Sequence, residues 1–182
     1  MNDKSMDKTS AKKSTENKQA HLPVMGVGPM CVAVMVAFTA IGIALVKFGA
    51  LAGGNVSGMP AAVLFTIAGI LCISGGIALW CAAVFGARID AKIKSNRLAT
   101  DGVYALVRNP IYSAFLFICT GTLLFCRNRY LLILPPLLWL YLTVFMKLTE
   151  EKWLSKRFGD EYSEYCKRVN RFIPWKRSGV NL

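Results

Sequence analysis

Residues 100–112 read Thr-Asp-Gly-Val-Tyr-Ala-Leu-Val-Arg-Asn-Pro-Ile-Tyr, and from Pro110 onward the chain stays apolar to Cys126. The stretch marks the point where water meets membrane. Pro110 suits the first turn of a helix, where its missing N–H does least harm, and Asn109 is a favoured residue just ahead of a helix. A second apolar run, Tyr130 to Leu148, ends close to the acidic pair Glu150–Glu151. Only Cys126-Arg127-Asn128-Arg129 joins the two runs. They therefore form a hairpin that returns to the side it left. Arg108, Asn109, Tyr112, Glu150 and Glu151 are expected to converge at one membrane face.

Two further apolar runs precede this hairpin. Uninterrupted apolar stretches of about 18 or more residues mark transmembrane helices. With 54% of 182 residues apolar and a mean hydropathy of +0.44, the chain is predicted to be all-α and polytopic. The expected helices are 24–48, 60–85, 109–126 and 130–148, four spans in all, followed by a cytosolic helical segment 149–176. Pro29 falls near the start of the first helix, and the uncharged, glycine-rich Gly49–Gly58 makes a short loop. Ala68, Cys72 and Gly76 form a stripe of small residues at spacing four, which lets another helix approach closely. Pro135-Pro136 is expected to kink or unwind the fourth helix. Beyond it, Gly159 reads as a helix-ending residue, with Asp160 capping one more helix to about Asn170. There Tyr162, Tyr165, Cys166 and Val169 share a face at helical spacing.

The formal net charge is +12, which raises the question of nucleic acid. The placement of the charge answers it. Lysines and arginines fall in the polar tail 1–22, in the basic segment Arg88–Thr100 and after the fourth run, where the positive-inside rule puts them. Both termini are then cytosolic, the partners are membrane lipids, and nucleic acid is excluded. The tail 1–22 carries no apolar periodicity and is expected to be disordered; residues 177–182 form a short second tail. Ile89, Ile93 and Leu98 are expected to rest on the membrane surface. Arg127 and Arg129 stand on the wrong side and are expected to snorkel to the far headgroups, unless the hairpin stops short of a full crossing. Ala50-Leu51-Ala52 resembles a signal-peptide cleavage site, but the run before it is too long for the apolar part of a leader. The six cysteines lack C-x-x-C pairs and His21 is the single histidine, so no metal site is expected.

Two features carry chemistry. Arg108, beside the positive end of helix three, suits a carboxylate or phosphate; the plainer reading has Asn109 capping and Arg108 meeting lipid headgroups. Glu150 and Glu151 are acids at a membrane boundary, where such groups tend to be functional or paired. The plainer reading pairs Glu151 with Lys147 one turn away.

The order of these residues, followed by Phe158-Gly159-x-x-Tyr162-x-x-Tyr165 and Arg171-Phe172-Ile173-Pro174, resembles the isoprenylcysteine carboxyl methyltransferase family. Phospholipid methyltransferases share a similar core. The likeness covers about residues 60–175 and implies a membrane methyltransferase domain, residues 23–176, that uses S-adenosylmethionine at the cytosolic face. It implies a cofactor pocket of Arg108, Asn109, Pro110, Tyr112, Glu150 and Glu151, with Tyr104, Tyr165 and Arg171 as further members. Arg108, Glu150 and Glu151 are also the candidates for catalysis. Asn109 stands where the family often has histidine, and Ala114 where it often has glycine, which leaves the acceptor open: lipophilic, or a small thiol or carboxylate. No Gly-x-Gly-x-x-Gly follows a strand, so a soluble dinucleotide-type domain is not expected. Two other readings stand beside this one. Some sterol-type membrane reductases, generally of greater length, resemble the core and use a nicotinamide cofactor. A non-catalytic membrane protein would leave Arg108 and the acidic pair as ordinary interface charges.

Overall fold

The structure is a computed structural model and describes residues 28–86 and 98–174. The chain divides into two compact units, Met1–Cys31 and Val32–Leu182. Of the first, the described residues are the opening turn of helix α1, Gly28–Lys47. The second unit holds everything considered below. Helix α2 is Met59–Cys81, extended by a wider turn over Ala82–Gly86. Helix α3 is Pro110–Phe125, α4 is Leu134–Leu148 and α5 is Glu150–Arg168. Short 3-10 turns precede α3 and α4, at Gly102–Ala105 and Arg129–Ile133. Among the described residues there are two isolated β-bridges and no strand. The predicted all-α class is what the chain adopts.

Three helical stretches are long and apolar enough to cross a membrane: Gly28–Lys47, Met59–Gly86 and Arg129–Leu148. Helix α3 has 16 residues, a rise of about 24 Å at 1.5 Å each, against a hydrocarbon core of about 30 Å. Length alone thus supports three spans where four were expected, with α3 as a shorter apolar partner.

Helices α2 and α3 pack most closely. A Cβ on Gly121 would stand 2.7 Å from the Gly69 carbonyl oxygen, and one on Gly76 2.8 Å from that of Ala114. Only hydrogen fits at such a crossing. The predicted small-residue stripe is used, with Gly69 in the place assigned to Ala68. Pro135 and Pro136 fall in the first turn of α4. The prolines therefore begin the α-helix and do not kink it, because the first turn needs no N–H from them. The apolar run is unwound ahead of them, over Arg129–Ile133.

The Arg127–Arg129 connection is fastened to the α1–α2 loop. The Asn128 amide donates to the Leu51 carbonyl at 2.7 Å and to Asn55 Oδ1 at 3.0 Å, and its own oxygen accepts from the Tyr130 N–H at 3.0 Å. Arg127 donates to Thr66 Oγ1 and Arg129 to the Gly53 carbonyl. The two arginines thus bond to protein oxygens, where headgroup contact was expected.

Helix α5 bends at Gly159, whose φ of 52° and ψ of −122° separate two helical halves. That is the break the sequence predicts, at a φ that glycine adopts without strain. Tyr162, Tyr165 and Val169 form a buried cluster that Leu98 and Phe158 pack against; Leu98 is spent on protein, not on the membrane surface. Ile89, Ile93 and the two tails lie outside the described residues.

Candidate functional site

The site begins with a single backbone register. Val107 and Asn170 form a parallel bridge, in which Arg108 N–H donates to the Asn170 carbonyl at 2.9 Å and Asn109 N–H to that of Arg171 at 3.2 Å. Val107 and Phe172 on either side are buried, so the pairing is anchored by apolar burial. Its consequence is that Arg108 and Arg171, far apart in sequence, arrive together.

Both meet Glu151. Arg171 grips the carboxylate with two parallel bonds, Nε to Oε1 at 2.6 Å and Nη2 to Oε2 at 2.7 Å. Arg108 Nη1 lies 3.2 Å from Oε1, with the two side chains only 9% and 13% exposed. Charge-assisted, bidentate pairing of this kind is the strong form of an ion pair. The hydrogen bond to Glu151 raises the pKa of Arg171 further above its usual value. Arg108 Nη1 also contacts Cys166 Sγ and, at 3.5 Å, Tyr162 Oη. Yet Arg108 Nε is buried with no hydrogen-bond partner. An orphaned guanidinium N–H is costly and calls for an explanation.

Glu150 has a separate place. Tyr112 donates to its Oε1 at 2.6 Å across the junction of α3 and α5. Burial pushes the Glu150 carboxyl up; the Tyr112 bond pulls it partly back, and the charge of Glu151 pushes it up again. The phenol of Tyr104 is pushed up to about 12, first by burial and then by the charge of Glu150. Tyr165 donates to the Tyr104 carbonyl at 2.6 Å, and burial raises its own pKa as well. Tyr165 is thus a strut for the Tyr104 segment.

The convergence expected from the sequence is present: Arg108, Tyr112, Glu150 and Glu151 come together, joined by Arg171. Three details differ. Glu151 is taken by two arginines, where the plainer reading gave it Lys147. Glu150 is held by Tyr112, a pairing the sequence did not suggest. The Asn109 side chain does not cap α3; its amide reaches the Arg171 carbonyl at 3.4 Å. The Asn109 carbonyl instead accepts from the Ser113 N–H and hydroxyl, at 3.0 and 2.9 Å. Pro110 is buried in the first turn. Cys166 and Tyr162 are additions; their helical spacing with Tyr165 placed them on a packing face, and that face also borders Arg108.

The sequence pattern of the phospholipid methyltransferase family matches residues 57–161, more than half of the chain. The chain belongs to this family. The matched part holds Arg108, Tyr112, Glu150 and Glu151 and ends before Tyr165 and Arg171. Among curated proteins it is similar to the protein-S-isoprenylcysteine O-methyltransferase of Schizosaccharomyces pombe, 39% identical over 44% of this chain and 34% of that protein. A probable protein-S-isoprenylcysteine O-methyltransferase of Oryza sativa subsp. indica is 35% identical over 44% of this chain and 42% of its own length. Methanethiol S-methyltransferase 1 of Bradyrhizobium diazoefficiens is 32% identical over 45% of this chain and 28% of its own. The similar region thus spans less than half of each relative. These names bear out the resemblance to isoprenylcysteine methyltransferases read from the sequence. No solved structure matches the chain.

Proposed function

We propose that this protein is an integral membrane methyltransferase that takes its methyl group from S-adenosylmethionine at the Arg108–Glu150–Glu151–Arg171 cluster. The observation that carries the reading is the orphaned Nε of Arg108, buried in that cluster within the segment matching the family. The donor set suits the cofactor. S-adenosylmethionine carries a carboxylate, an ammonium, a ribose diol and a sulfonium whose methyl is electrophilic. The Arg108 Nε–H suits the carboxylate. Glu150, held by Tyr112 and otherwise buried, suits the ammonium or the ribose hydroxyls. Glu151 is committed to two arginines, and its work is to hold Arg108 in place. Tyr104 contributes a neutral wall, since its proton stays on at any ordinary pH.

Methyl transfer asks for alignment of the reacting groups more than for a base when the acceptor is already an anion. The tyrosines around the cluster are held protonated, and Glu150 is too weak a base for an alkylammonium. The acceptor is therefore a carboxylate or a thiolate, either lipophilic and arriving through the membrane or a small thiol. Two of the relatives' names, isoprenylcysteine and methanethiol, fall in this range. The basic segments support the cytosolic face as the side of the cluster.

Calorimetric titration of S-adenosylmethionine into the detergent-purified protein tests the reading, with Arg108→Ala and Glu150→Ala alongside. Micromolar binding by the wild type, lost in both variants while their helicity persists, is expected. Binding of NADPH and not S-adenosylmethionine would turn the assignment to a reductase, and binding of neither to a non-catalytic protein.

A further inference from the structure

The bend at Gly159 divides α5 into halves of different character. Before it, Leu154 and Phe158 pack against the Tyr162–Tyr165–Val169 cluster, while Tyr112 holds Glu150 and the two arginines hold Glu151. At about 3.6 residues per turn these side chains share one side of the helix, and Lys152, Trp153, Lys156 and Arg157 fall on the other. The exposed residues of this half are Lys152, Ser155, Lys156 and Arg157, three cations and no acid. Among the described residues neither lysine is paired with a carboxylate. Lys152 even stands in the first turn, where the helix dipole disfavours a cation. Arg157 lies 5.3 Å over the Trp153 ring, which keeps the indole beside the cations. After the bend the charges are mixed. Asp160, Glu161 and Glu164 stand among Lys167 and Arg168, all exposed, and Glu164 pairs with Lys167 at 2.6 Å.

The cationic half is also the one that adjoins the membrane. The apolar stretch Arg129–Leu148 ends on the exposed Leu148, and Lys152 follows it by four residues, about 14 Å of chain at full stretch. Cations without a protein counter-charge, set with a tryptophan at the end of a span, are the chemistry that an acidic leaflet attracts. We infer that the arc of Lys152, Trp153, Lys156 and Arg157 docks on acidic phospholipid headgroups of the leaflet at that end of the helices. Trp153 then sits at the headgroup level and the cations meet the phosphates. Of the anionic partners such an arc would suit, lipid is the one that the adjoining span already brings beside it. The inference concerns lipid binding alone and stands apart from the proposed methyl transfer.

The test places the full chain in phosphatidylcholine nanodiscs containing phosphatidylglycerol, with one lipid or the other carrying bromine as a fluorescence quencher. Each protein is paired with its Trp153→Phe counterpart, and the difference between the two is the signal of Trp153. A lysine near an acidic surface is worth about fivefold in binding. Brominated phosphatidylglycerol is therefore expected to quench Trp153 several-fold more than the same fraction of brominated phosphatidylcholine. Lys152→Gln/Lys156→Gln should bring the two lipids to parity, as should salt near 1 M, where screening acts within about 3 Å. Lys167→Gln/Arg168→Gln removes as many charges beyond the bend and should keep the wild-type preference. Equal quenching by both lipids in wild type overturns the inference, and so does an equal loss of preference in the two double variants, which would reflect net charge alone. A Trp153 that neither lipid quenches also overturns it, and would leave the arc facing water and open to an acidic protein.

Discussion

The α3–α4 hairpin buries polar side chains at both of its ends, and the two ends are built on opposite terms. At the loop end Asn128 is 0% exposed and fully occupied, its amide and oxygen sharing three hydrogen bonds with Leu51, Asn55 and Tyr130. The arginines there bond to neutral oxygens, and Arg129 lies 5.3 Å over the Tyr130 ring. At the other end two arginines and two carboxylates are crowded together, one guanidinium N–H is left without a partner, and one carboxyl is held protonated more readily than usual. A satisfied polar network rigidifies a fold; a partly satisfied one is costly and persists where something else completes it. The loop end is a clasp, and the carboxylate end is a site.

The contrast breaks first at Glu151. Glu151→Gln leaves Arg108 and Arg171 buried without their counter-charge, a loss of about 3–5 kcal/mol by the usual cost of halving a buried pair. Thermal unfolding in detergent should show that loss, and S-adenosylmethionine binding should disappear; Glu151→Asp should recover part of each. Binding that survives in Glu151→Gln would mean that Arg108 does not need the carboxylate to be placed. The clasp should behave in the opposite sense. Asn128→Ala removes three hydrogen bonds and strands their partners, costing about 2–3 kcal/mol. Its cofactor affinity, measured below the melting range, should equal that of wild type. A fall in affinity there would join the two ends energetically and end the distinction.

Much of this was legible in the chain, and the illegible parts share a cause. Apolar run lengths announce helices, and Arg108 and Glu150–Glu151 stood out as charges at a membrane boundary, where only a partner or a purpose keeps them. What a run cannot display is its partner. Gly69 and not Ala68 meets Gly121, because small residues occupy both registers of α2 and the choice belongs to α3. Pro135-Pro136 looked like an interruption because Tyr130–Leu148 read as one helix. The same missing N–H groups suit a first turn equally well. Arg171 reaches Glu151 through the Val107–Asn170 bridge, a tertiary pairing that no spacing encodes. The resemblance named Arg171 for the pocket but gave it no partner, so Lys147 was the nearest cation along the chain for Glu151, and the division of labour between the two glutamates stayed hidden.

That division gives the finest test, at Tyr112. Burial raises the Glu150 carboxyl and the phenol hydrogen bond lowers it, so Tyr112→Phe raises it further. The consequences for stability and for binding run in opposite directions. A carboxyl whose folded pKa lies above its unfolded one stabilises the fold below the unfolded pKa, and that contribution fades as pH rises through the folded pKa. Binding of an ammonium or a ribose hydroxyl needs the ionised form instead, so affinity falls as pH drops through the same folded pKa. Tyr112→Phe should therefore move the acid limb of the S-adenosylmethionine affinity profile to higher pH, while affinity well above that limb changes by less than about tenfold, the worth of one hydrogen bond. Calorimetric Kd values across the acid range would show it. Superimposable profiles for the two proteins would mean that Glu150 does not meet the cofactor as a carboxylate. The cluster would then bind through Arg108 alone, and Glu150 would be one more buried acid held by a tyrosine, closer in kind to the clasp at the other end.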